Sequence, residues 1–174
     1  MKNQSDEIIM QSVAEGDLDS MKILFDRYHK WIYNFYFKMK PDVALCEDLT
    51  QNVFYKVIRY RHSYKGGNFA SWMFTIARNL FNDEMQKHKN RTSVSLDDLQ
   101  VVAETEEEDQ SEEVKRLHVV LNKLPIADKE LIVMSRFQGM KYQQIAEVIG
   151  SNEIAVKTRI HRILKKIRTL YFQK

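Results

Sequence analysis

Charge divides this chain of 174 residues into three segments. Residues 92–114 carry nine acidic residues and no lysine or arginine, which gives them a net charge of −9. The segment before them, residues 1–91, has a net charge of +3, and residues 115–174 have a net charge of +9. So acidic a stretch cannot bury enough apolar surface to order itself. We therefore predict two folded domains joined by a flexible acidic linker, and the basic C-terminal domain indicates a polyanionic partner.

Both flanking segments show the three-and-four spacing of amphipathic helices. One apolar stripe is formed by Leu18, Met21, Phe25, Tyr28, Ile32, Phe35 and Met39. Aromatic residues off this stripe, at positions 31, 33, 36 and 37, indicate that the helix is covered on more than one side. Two prolines and five glycines are too few for a turn-rich β fold. We predict an all-α fold with a helical domain over residues 1–91, a linker over 92–111 and a second helical domain over 112–174.

Several classes of protein are disfavoured by what the sequence lacks. Cys46 has no partner for an internal disulfide, and neither an apolar leader nor a membrane-length apolar run is present, so we expect a cytoplasmic protein without membrane insertion. The five histidines show no metal-ligand spacing, and phosphate-binding and dinucleotide-binding glycine motifs are absent. We expect no cofactor, no metal, no catalytic residue and no enzymatic activity.

Aromatic, cationic and amide side chains alternate along residues 61–91. Bases stack on rings, cations follow phosphates and amides read base edges, so this mixture suits single-stranded nucleic acid. The candidate contacts are Tyr64, Lys65, Asn68, Trp72, Arg78, Asn79, Lys87 and Arg91. The same stretch also fits a partly buried helix with a solvated basic face, and taken alone it does not decide between the two interpretations.

A second candidate surface follows one side of the helix expected over residues 42–60. Its apolar face carries Cys46, Leu49, Val53, Val57 and Tyr60. Another face combines an acid, amides and an aromatic ring, namely Asp48, Gln51, Asn52 and Tyr55. A polar stripe is usually just solvated, but this combination also fits a docking face for a partner protein.

The C-terminal segment carries the pattern of a helix-turn-helix. A helix ending at Pro125 and a helix that we expect Asp128 to cap come first. A short helix then ends at Gly150, and a long basic helix follows from residue 152. In the long helix an apolar face formed by residues 156, 160, 163 and 167 lies opposite a polar face, which Arg159 and Lys166 flank. The polar face carries Lys157, Thr158, His161, Arg162, Lys165 and Arg168. The candidate DNA contacts are Lys157, Thr158, Arg159, His161, Arg162 and Lys165. Such a helix suits the major groove of DNA.

Short motifs run through both halves of the chain. The N-terminal half contains Glu47-Asp-Leu-Thr-Gln-Asn-Val-Phe54, Ser63-Tyr-Lys-Gly66 and Phe69-Ala-Ser-Trp-Met-Phe-Thr-Ile-Ala-Arg-Asn-Leu80. The C-terminal half contains Leu124-Pro125, Tyr142-Gln-Gln-Ile-Ala-Glu-Val-Ile-Gly150 and Val156-Lys-Thr-Arg-Ile-His-Arg162. In their order, spacing and acidic linker, these motifs resemble the extracytoplasmic-function (ECF) class of bacterial RNA polymerase sigma factors, over nearly the whole chain.

The resemblance implies a role for each surface. Residues 1–91 correspond to sigma region 2, where Asp48, Gln51, Asn52 and Tyr55 match the segment that docks on the β′ clamp helices of core RNA polymerase. Tyr64 and Asn79 match positions that capture a flipped base of the −10 element. Residues 112–174 correspond to region 4, which binds the β flap and reads the −35 element through the polar face of the long helix. Members of this class are commonly held by a membrane-anchored anti-sigma factor.

Two other functions remain open from the residues alone. A stand-alone helix-turn-helix regulator with an N-terminal sensing or dimerisation domain explains residues 115–174 equally well, but it leaves the aromatic and basic residues of 61–91 unexplained. Such a regulator is expected to bind a palindrome as a dimer. A nucleic-acid-modifying enzyme would use the basic surface to hold its substrate, but it requires a catalytic cluster that the sequence does not show.

Overall fold

The structure is a computed structural model, and it describes residues 4–92 and 111–173. Over these two ranges the chain forms helices and no β-strand, which confirms the predicted all-α fold. The chain separates into two compact units, with the division after Val101. Residues 93–110, which make up almost all of the predicted linker, lie outside the described ranges. None of the described helices is long and apolar enough to cross a bilayer.

Over residues 4–92, the N-terminal unit is a small bundle of four α-helices. Ser5 caps the first helix, since its side chain accepts a hydrogen bond from the Ile8 amide, and Asp42 caps the third helix in the same way on Leu45. Short 3₁₀ turns precede the second and fourth helices, at Leu18–Ser20 and Arg61–Ser63. The helices are α1 (Asp6–Ala14), α2 (Met21–Met39), α3 (Val43–Arg59) and α4 (Phe69–Thr92).

The core of this unit lies where α2 packs against α3 and α4. Phe35 of α2 meets Phe74 of α4 edge to face, with ring centroids 4.6 Å apart. The hydroxyl of Tyr36 donates a 2.8 Å hydrogen bond to the Ala77 carbonyl of α4, so the buried phenol is satisfied. Burial also raises the pKa of Tyr36, which keeps the hydroxyl protonated as a donor.

The apolar stripe predicted for α2 is partly wrong at its N-terminal end. Leu18 and Phe25 are 46% and 41% exposed, whereas Tyr36, which lies off the stripe, is 1% exposed. The reason is that α1, α3 and α4 all pack against α2, so its buried surface is wider than one stripe. Most of the buried residues of α2 lie in its C-terminal half. Phe25 instead stacks on His29 at the rim, with ring centroids 4.7 Å apart.

Over residues 111–173, the C-terminal unit contains four further α-helices. A π-helical turn, Val133–Phe137, extends the second of them, and the amide of Gln138 donates to the Val133 carbonyl at 3.0 Å. Its core combines Leu131, Met134 and Ile145 with the apolar face of the last helix. The helices are α5 (Glu112–Asn122), α6 (Ile126–Ile132), α7 (Tyr142–Ile149) and α8 (Glu153–Phe172).

The expectation that Asp128 caps α6 is wrong. The helix begins two residues earlier, at Ile126, directly after Pro125. The amide of Asp128 already donates to the Pro125 carbonyl at 3.0 Å, so Asp128 lies inside the first turn. Its carboxylate contacts Arg159 of α8 instead.

Removing the Tyr36 hydroxyl should weaken the α2–α4 contact without opening a cavity. We expect Tyr36→Phe to lower the free energy of unfolding of the N-terminal unit by about 1 kcal/mol, because one buried hydrogen bond is lost. Urea denaturation followed by tryptophan fluorescence reports on this unit alone, since Trp31 and Trp72 are the only tryptophans in the chain. Tyr33→Phe, at a less buried ring on the same helix, is the control. Equal stabilities for the two variants would contradict the assignment.

The start of α4 depends on Asn68, which acts as its N-cap. The side-chain oxygen of Asn68 accepts hydrogen bonds from the amide and the hydroxyl of Ser71, at 2.8 and 3.0 Å. We expect Asn68→Ala to cost about 1 kcal/mol of unfolding free energy in the same denaturation assay, because the cap is lost. Asn68→Asp keeps the accepting oxygen and should be nearly neutral. A large loss in the Asp variant would show that the amide nitrogen matters more than the cap.

Candidate nucleic-acid interface

The last two helices are joined by a tight turn that sets the direction of α8. Gly150 ends α7 with φ +68°, a left-handed conformation that glycine adopts without steric cost. Asn152 then begins α8, because its side-chain oxygen accepts a 2.9 Å hydrogen bond from the Ala155 amide. These two signals leave only three residues between the helices, as a helix-turn-helix requires.

The two faces of α8 have opposite chemistry, as the sequence predicts. Val156, Ile160 and Ile163 are buried against the rest of the unit, at 0–3% exposure. All six predicted contacts on the other face are exposed, namely Lys157, Thr158, Arg159, His161, Arg162 and Lys165. The helix therefore presents a continuous cationic surface to the solvent, while its apolar side holds it in place.

Two of these six residues make contacts within the protein. The Thr158 hydroxyl donates to the Ile154 carbonyl one turn earlier, at 2.9 Å. The guanidinium of Arg159 contacts one carboxylate oxygen of Asp128 through Nε at 3.2 Å and Nη2 at 2.9 Å. The sequence has no acidic residue between Ile154 and Lys174. Sequence analysis missed Asp128 as a partner because it lies on a different helix.

The predicted docking stripe lies on the outer side of α3. Asp48, Gln51 and Tyr55 are exposed and Asn52 is half-buried, with its amide donating to Asp48 at 3.3 Å. Tyr55 is 60% exposed, which is unusual for a large aromatic residue. Gln51 also lines a shallow groove of about 510 Å³ between α2 and α3, together with Phe25 and Tyr33. The stripe and the groove form one continuous polar and aromatic surface.

Tyr64, the residue predicted to stack on a base, is covered in this structure. Its ring is 7% exposed and lies edge-on to Trp72 and Phe69, with ring centroids 5.3 and 6.2 Å away. Its hydroxyl donates a 2.6 Å hydrogen bond to the Gly67 carbonyl. Burial raises the pKa of Tyr64, and the nearby carboxylates of Glu7 and Asp6 raise it further. The ring faces are therefore not accessible to a base in this state.

The other predicted contacts of residues 61–91 differ in accessibility. Lys65, Asn68, Asn79, Lys87 and Arg91 are exposed, and Trp72 and Arg78 are half-buried. The side-chain oxygen of Asn68 already accepts the hydrogen bond that caps α4, as described above. Of these predicted contacts, the amide of Asn79 and the cations of Lys87 and Arg91 are exposed on α4, which also carries Phe69 and Trp72 of the covered aromatic cluster around Tyr64.

Sequence analysis missed the contribution of α1 to this region. A carboxylate oxygen of Glu7 accepts a hydrogen bond from the Phe69 amide at 3.3 Å, at the start of α4. Asp6 pairs with Arg27 and accepts a hydrogen bond from the Tyr28 hydroxyl, which ties α1 to α2. The only local sign of these contacts is the pair of acids in the first turn of α1, which is also ordinary at helix N-termini.

Within residues 4–92 and 111–173, no group of three or more His, Cys, Asp or Glu side chains is placed to hold a metal ion. Cys46 is buried, and burial raises its pKa to about 11 despite a hydrogen bond from the Asp42 backbone. A thiol in this state is protonated near neutral pH and is a poor nucleophile. Cys46 therefore belongs to the core.

Comparison with known protein families matches two separate parts of the chain. Residues 24–91 match sigma-70 region 2, and residues 115–167 match sigma-70 region 4. The first match covers α2 to α4, including the stripe on α3 and the covered aromatic cluster. The second match covers α5 to most of α8, including the cationic face.

Two curated relatives are similar over most of this chain. The ECF RNA polymerase sigma factor SigX of Bacillus subtilis is 30% identical over 160 residues, which cover 86% of this chain and 82% of SigX. The ECF RNA polymerase sigma factor BldN of Streptomyces coelicolor is 27% identical over 169 residues, covering 93% of this chain. This chain spans only 64% of the length of BldN.

A solved structure shows the same fold. CnrH, solved in complex with the cytosolic domain of CnrY, superimposes with a TM-score of 0.74 at 21% identity, covering 96% of this chain and 97% of CnrH. Together with the two regional matches and the similarity to SigX, this agreement confirms the resemblance found in the motifs. The chain belongs to the ECF family of RNA polymerase sigma factors.

Proposed function

We propose that this chain binds core RNA polymerase, directs it to promoters through a −35 and a −10 element, and starts promoter melting. The observation that carries the proposal is the division of α8 into a buried apolar face and an exposed cationic face behind a three-residue turn. A stand-alone regulator would share this helix. It would not explain the N-terminal unit, whose sequence matches sigma-70 region 2.

For the −35 element, we assign recognition to the exposed face of α8 in the major groove. The groove is wide enough for a helix, and it displays a distinct pattern of donors and acceptors for each base pair. Arg162 and His161 are candidates for base edges, and Lys157 and Lys165 are candidates for phosphates. The unit carries few acidic residues to oppose this approach, since residues 115–174 have a net charge of +9.

For the −10 element, we assign base capture to Tyr64 and Asn79. Unpairing and unstacking a base costs a few kcal/mol, and stacking the freed base on an aromatic ring returns about 1–3 kcal/mol. Since the Tyr64 ring is covered, its loop must open before it can stack, and Gly66 and Gly67 next to it have positive φ values of +92° and +85°. We propose that these glycines allow the rearrangement when promoter DNA and polymerase are bound.

For polymerase binding, we assign the stripe of Asp48, Gln51, Asn52 and Tyr55 to the β′ clamp helices, and the C-terminal unit to the β flap. An exposed aromatic ring among polar groups is typical of the centre of a protein interface. The same surface is a candidate for an anti-sigma factor, which would block polymerase by covering it. The sigma factor RpoE of Bartonella quintana, which has a similar fold, was solved in complex with the anti-sigma factor NepR, so a chain of this fold can bind such a partner.

The energy for melting comes from binding in this account. We propose that the chain has no catalytic centre of its own and that polymerase carries out the chemistry. We also propose a cytoplasmic location, because a promoter-specificity factor must work where polymerase and chromosome are.

In-vitro transcription with purified core polymerase and a pool of genomic fragments tests the whole proposal. We expect transcript starts that depend on both core polymerase and this chain and that share two upstream motifs. DNA binding without core-dependent starts would support the stand-alone regulator, and binding as a dimer to a palindrome would identify it.

Tyr64→Ala and Asn79→Ala should impair promoter opening and spare polymerase binding. We expect permanganate reactivity of the −10 region to fall by about tenfold or more in each variant, because about 1–3 kcal/mol of base capture is lost. Core binding, measured by competition with a labelled wild-type chain, should stay within about twofold, since these residues lie outside the α3 stripe. Wild-type reactivity in both variants would contradict the assignment of base capture.

Tyr64→Phe distinguishes the role of the ring from the role of its hydroxyl in the same permanganate assay. It keeps the ring but removes the hydrogen bond to Gly67, so the loop should open more readily. We expect opening at or above the wild-type level in this variant. A loss as large as that in Tyr64→Ala would show that the hydroxyl, and not the ring, is needed.

Tyr55→Ala should weaken core polymerase binding by about tenfold, since an aromatic side chain at an interface centre contributes about 1–2 kcal/mol. The fold should be unaffected because the ring is 60% exposed. Tyr60→Ala is the matched control, since Tyr60 is also an exposed tyrosine, at the end of the same helix and outside the stripe. Equal effects of the two variants would place the polymerase-binding surface elsewhere.

A further inference from the structure

One cation of the α8 face is tied to another helix. Nε and Nη2 of Arg159 both contact the same carboxylate oxygen of Asp128, at 3.2 and 2.9 Å. Asp128 lies in the first turn of α6, 31 residues earlier in the chain. The Arg159 side chain is 45% exposed and the Asp128 side chain 21%. The ion pair therefore sits at the edge of the candidate DNA surface, with the carboxylate the less accessible partner.

The other cations of this face differ from Arg159. Among the residues that the structure describes, Lys157, Arg162 and Lys165 have no carboxylate within 4 Å of their charged groups. Their side chains are exposed and can follow any phosphate that approaches. Arg159 alone among these four has its direction set by a second helix.

We propose that Asp128 is a positioning and specificity-determining residue for promoter recognition. It holds Arg159 in one direction and withholds the charge of Arg159 from DNA that lacks the cognate upstream element. This inference rests on the proposed role of α8 in reading the −35 element. It adds a residue outside the helix-turn-helix and assigns to it discrimination rather than affinity.

The geometry of the guanidinium supports this role. An arginine has five N–H groups, and the contacts with Asp128 use two of them. The remaining three stay available, in a plane fixed by the carboxylate, so the cost of ordering a long side chain is already met within the protein. A base edge or phosphate in the right place can accept from these groups while the ion pair persists.

Charge supports discrimination in the same way. DNA that is out of register can recruit the Arg159 charge only by pulling the guanidinium away from Asp128. The carboxylate left behind then repels the backbone, because like charges a few ångströms apart disfavour each other. Non-cognate DNA therefore gains little from contacting Arg159, whereas cognate DNA contacts Arg159 in the position in which Asp128 holds it. An exposed ion pair contributes little to folding, which is consistent with a role in recognition.

Asp128→Asn tests the proposal, because it removes the charge and keeps the shape. The assay uses holoenzyme assembled from core polymerase and the full chain. It compares binding to a promoter fragment obtained from the transcription experiment with binding to the same fragment carrying a scrambled upstream motif. We expect affinity for the scrambled fragment to rise about fivefold and affinity for the intact fragment to change less than twofold. Discrimination should therefore fall by more than twofold.

The salt dependence gives a second readout that a loss of packing would not produce. On the scrambled fragment, the slope of log affinity against log salt concentration should steepen by about 0.9 in the Asp128→Asn holoenzyme, the value of one additional phosphate contact. The effect should disappear when Arg159→Ala is also present, since the released charge is then absent. Glu113→Gln, which removes one exposed acidic charge at the start of α5, should leave both discrimination and slope unchanged.

The outcomes separate this inference from the function on which it rests. If wild-type holoenzyme discriminates between the fragments and Asp128→Asn discriminates equally well, the role of Asp128 is overturned while the function of α8 stands. The role is also overturned if Glu113→Gln has the same effect, since general charge then explains the change. If wild-type holoenzyme does not discriminate between the two fragments, the proposed −35 role of α8 fails, and the role of Asp128 fails with it.

Discussion

The N-terminal unit depends on the packing of α2 against α3 and α4. Phe35 and Tyr36 are both buried there, one through ring packing on Phe74 and the other through a hydrogen bond to Ala77. Because α2, α3 and α4 all pack against one another, these contacts determine which faces of the three helices remain exposed. The proposed polymerase-binding stripe of α3 and the exposed amide and cations of α4 are those faces. The proposed polymerase contacts and the exposed cations of α4 therefore lie on surfaces that core packing leaves uncovered, whereas the proposed base-stacking residue Tyr64 does not.

The two units have their proposed DNA-contacting groups in different states. The cationic face of α8 is exposed and supported by a buried apolar face, so it can engage duplex DNA without rearrangement. The Tyr64 ring packs against Phe69 and Trp72 and is buried, so its proposed use requires the loop to move. This difference fits an order of events in which duplex recognition precedes melting. A covered ring also keeps an aromatic surface from contacting other partners before a promoter is bound.

The helices were largely predictable from the sequence, because their signals are local. The helix predicted over residues 42–60 spans Val43–Arg59, and Gly150 ends α7 as expected. The failures involve contacts between distant residues. The pattern of residues 61–91 leaves open whether the Tyr64 ring is accessible to a base or partly buried, and its burial against Phe69 and Trp72 depends on the folded arrangement of these rings. The sequence pattern predicts Asp128 as a helix cap. Its partner in the structure, Arg159, lies 31 residues away, and neither spacing nor propensity reveals such a contact.

The central claim is that the two units read two separate promoter elements for one polymerase. Its most direct test is selection of bound fragments from a library with both elements randomised, using holoenzymes that contain wild-type chain, Arg162→Ala or Asn79→Ala. Our account predicts that Arg162→Ala relaxes base preference only in the upstream element and Asn79→Ala only in the downstream element, while the other element keeps its wild-type preference. Changes by both variants in the same element, or an unchanged preference in both variants, would contradict it.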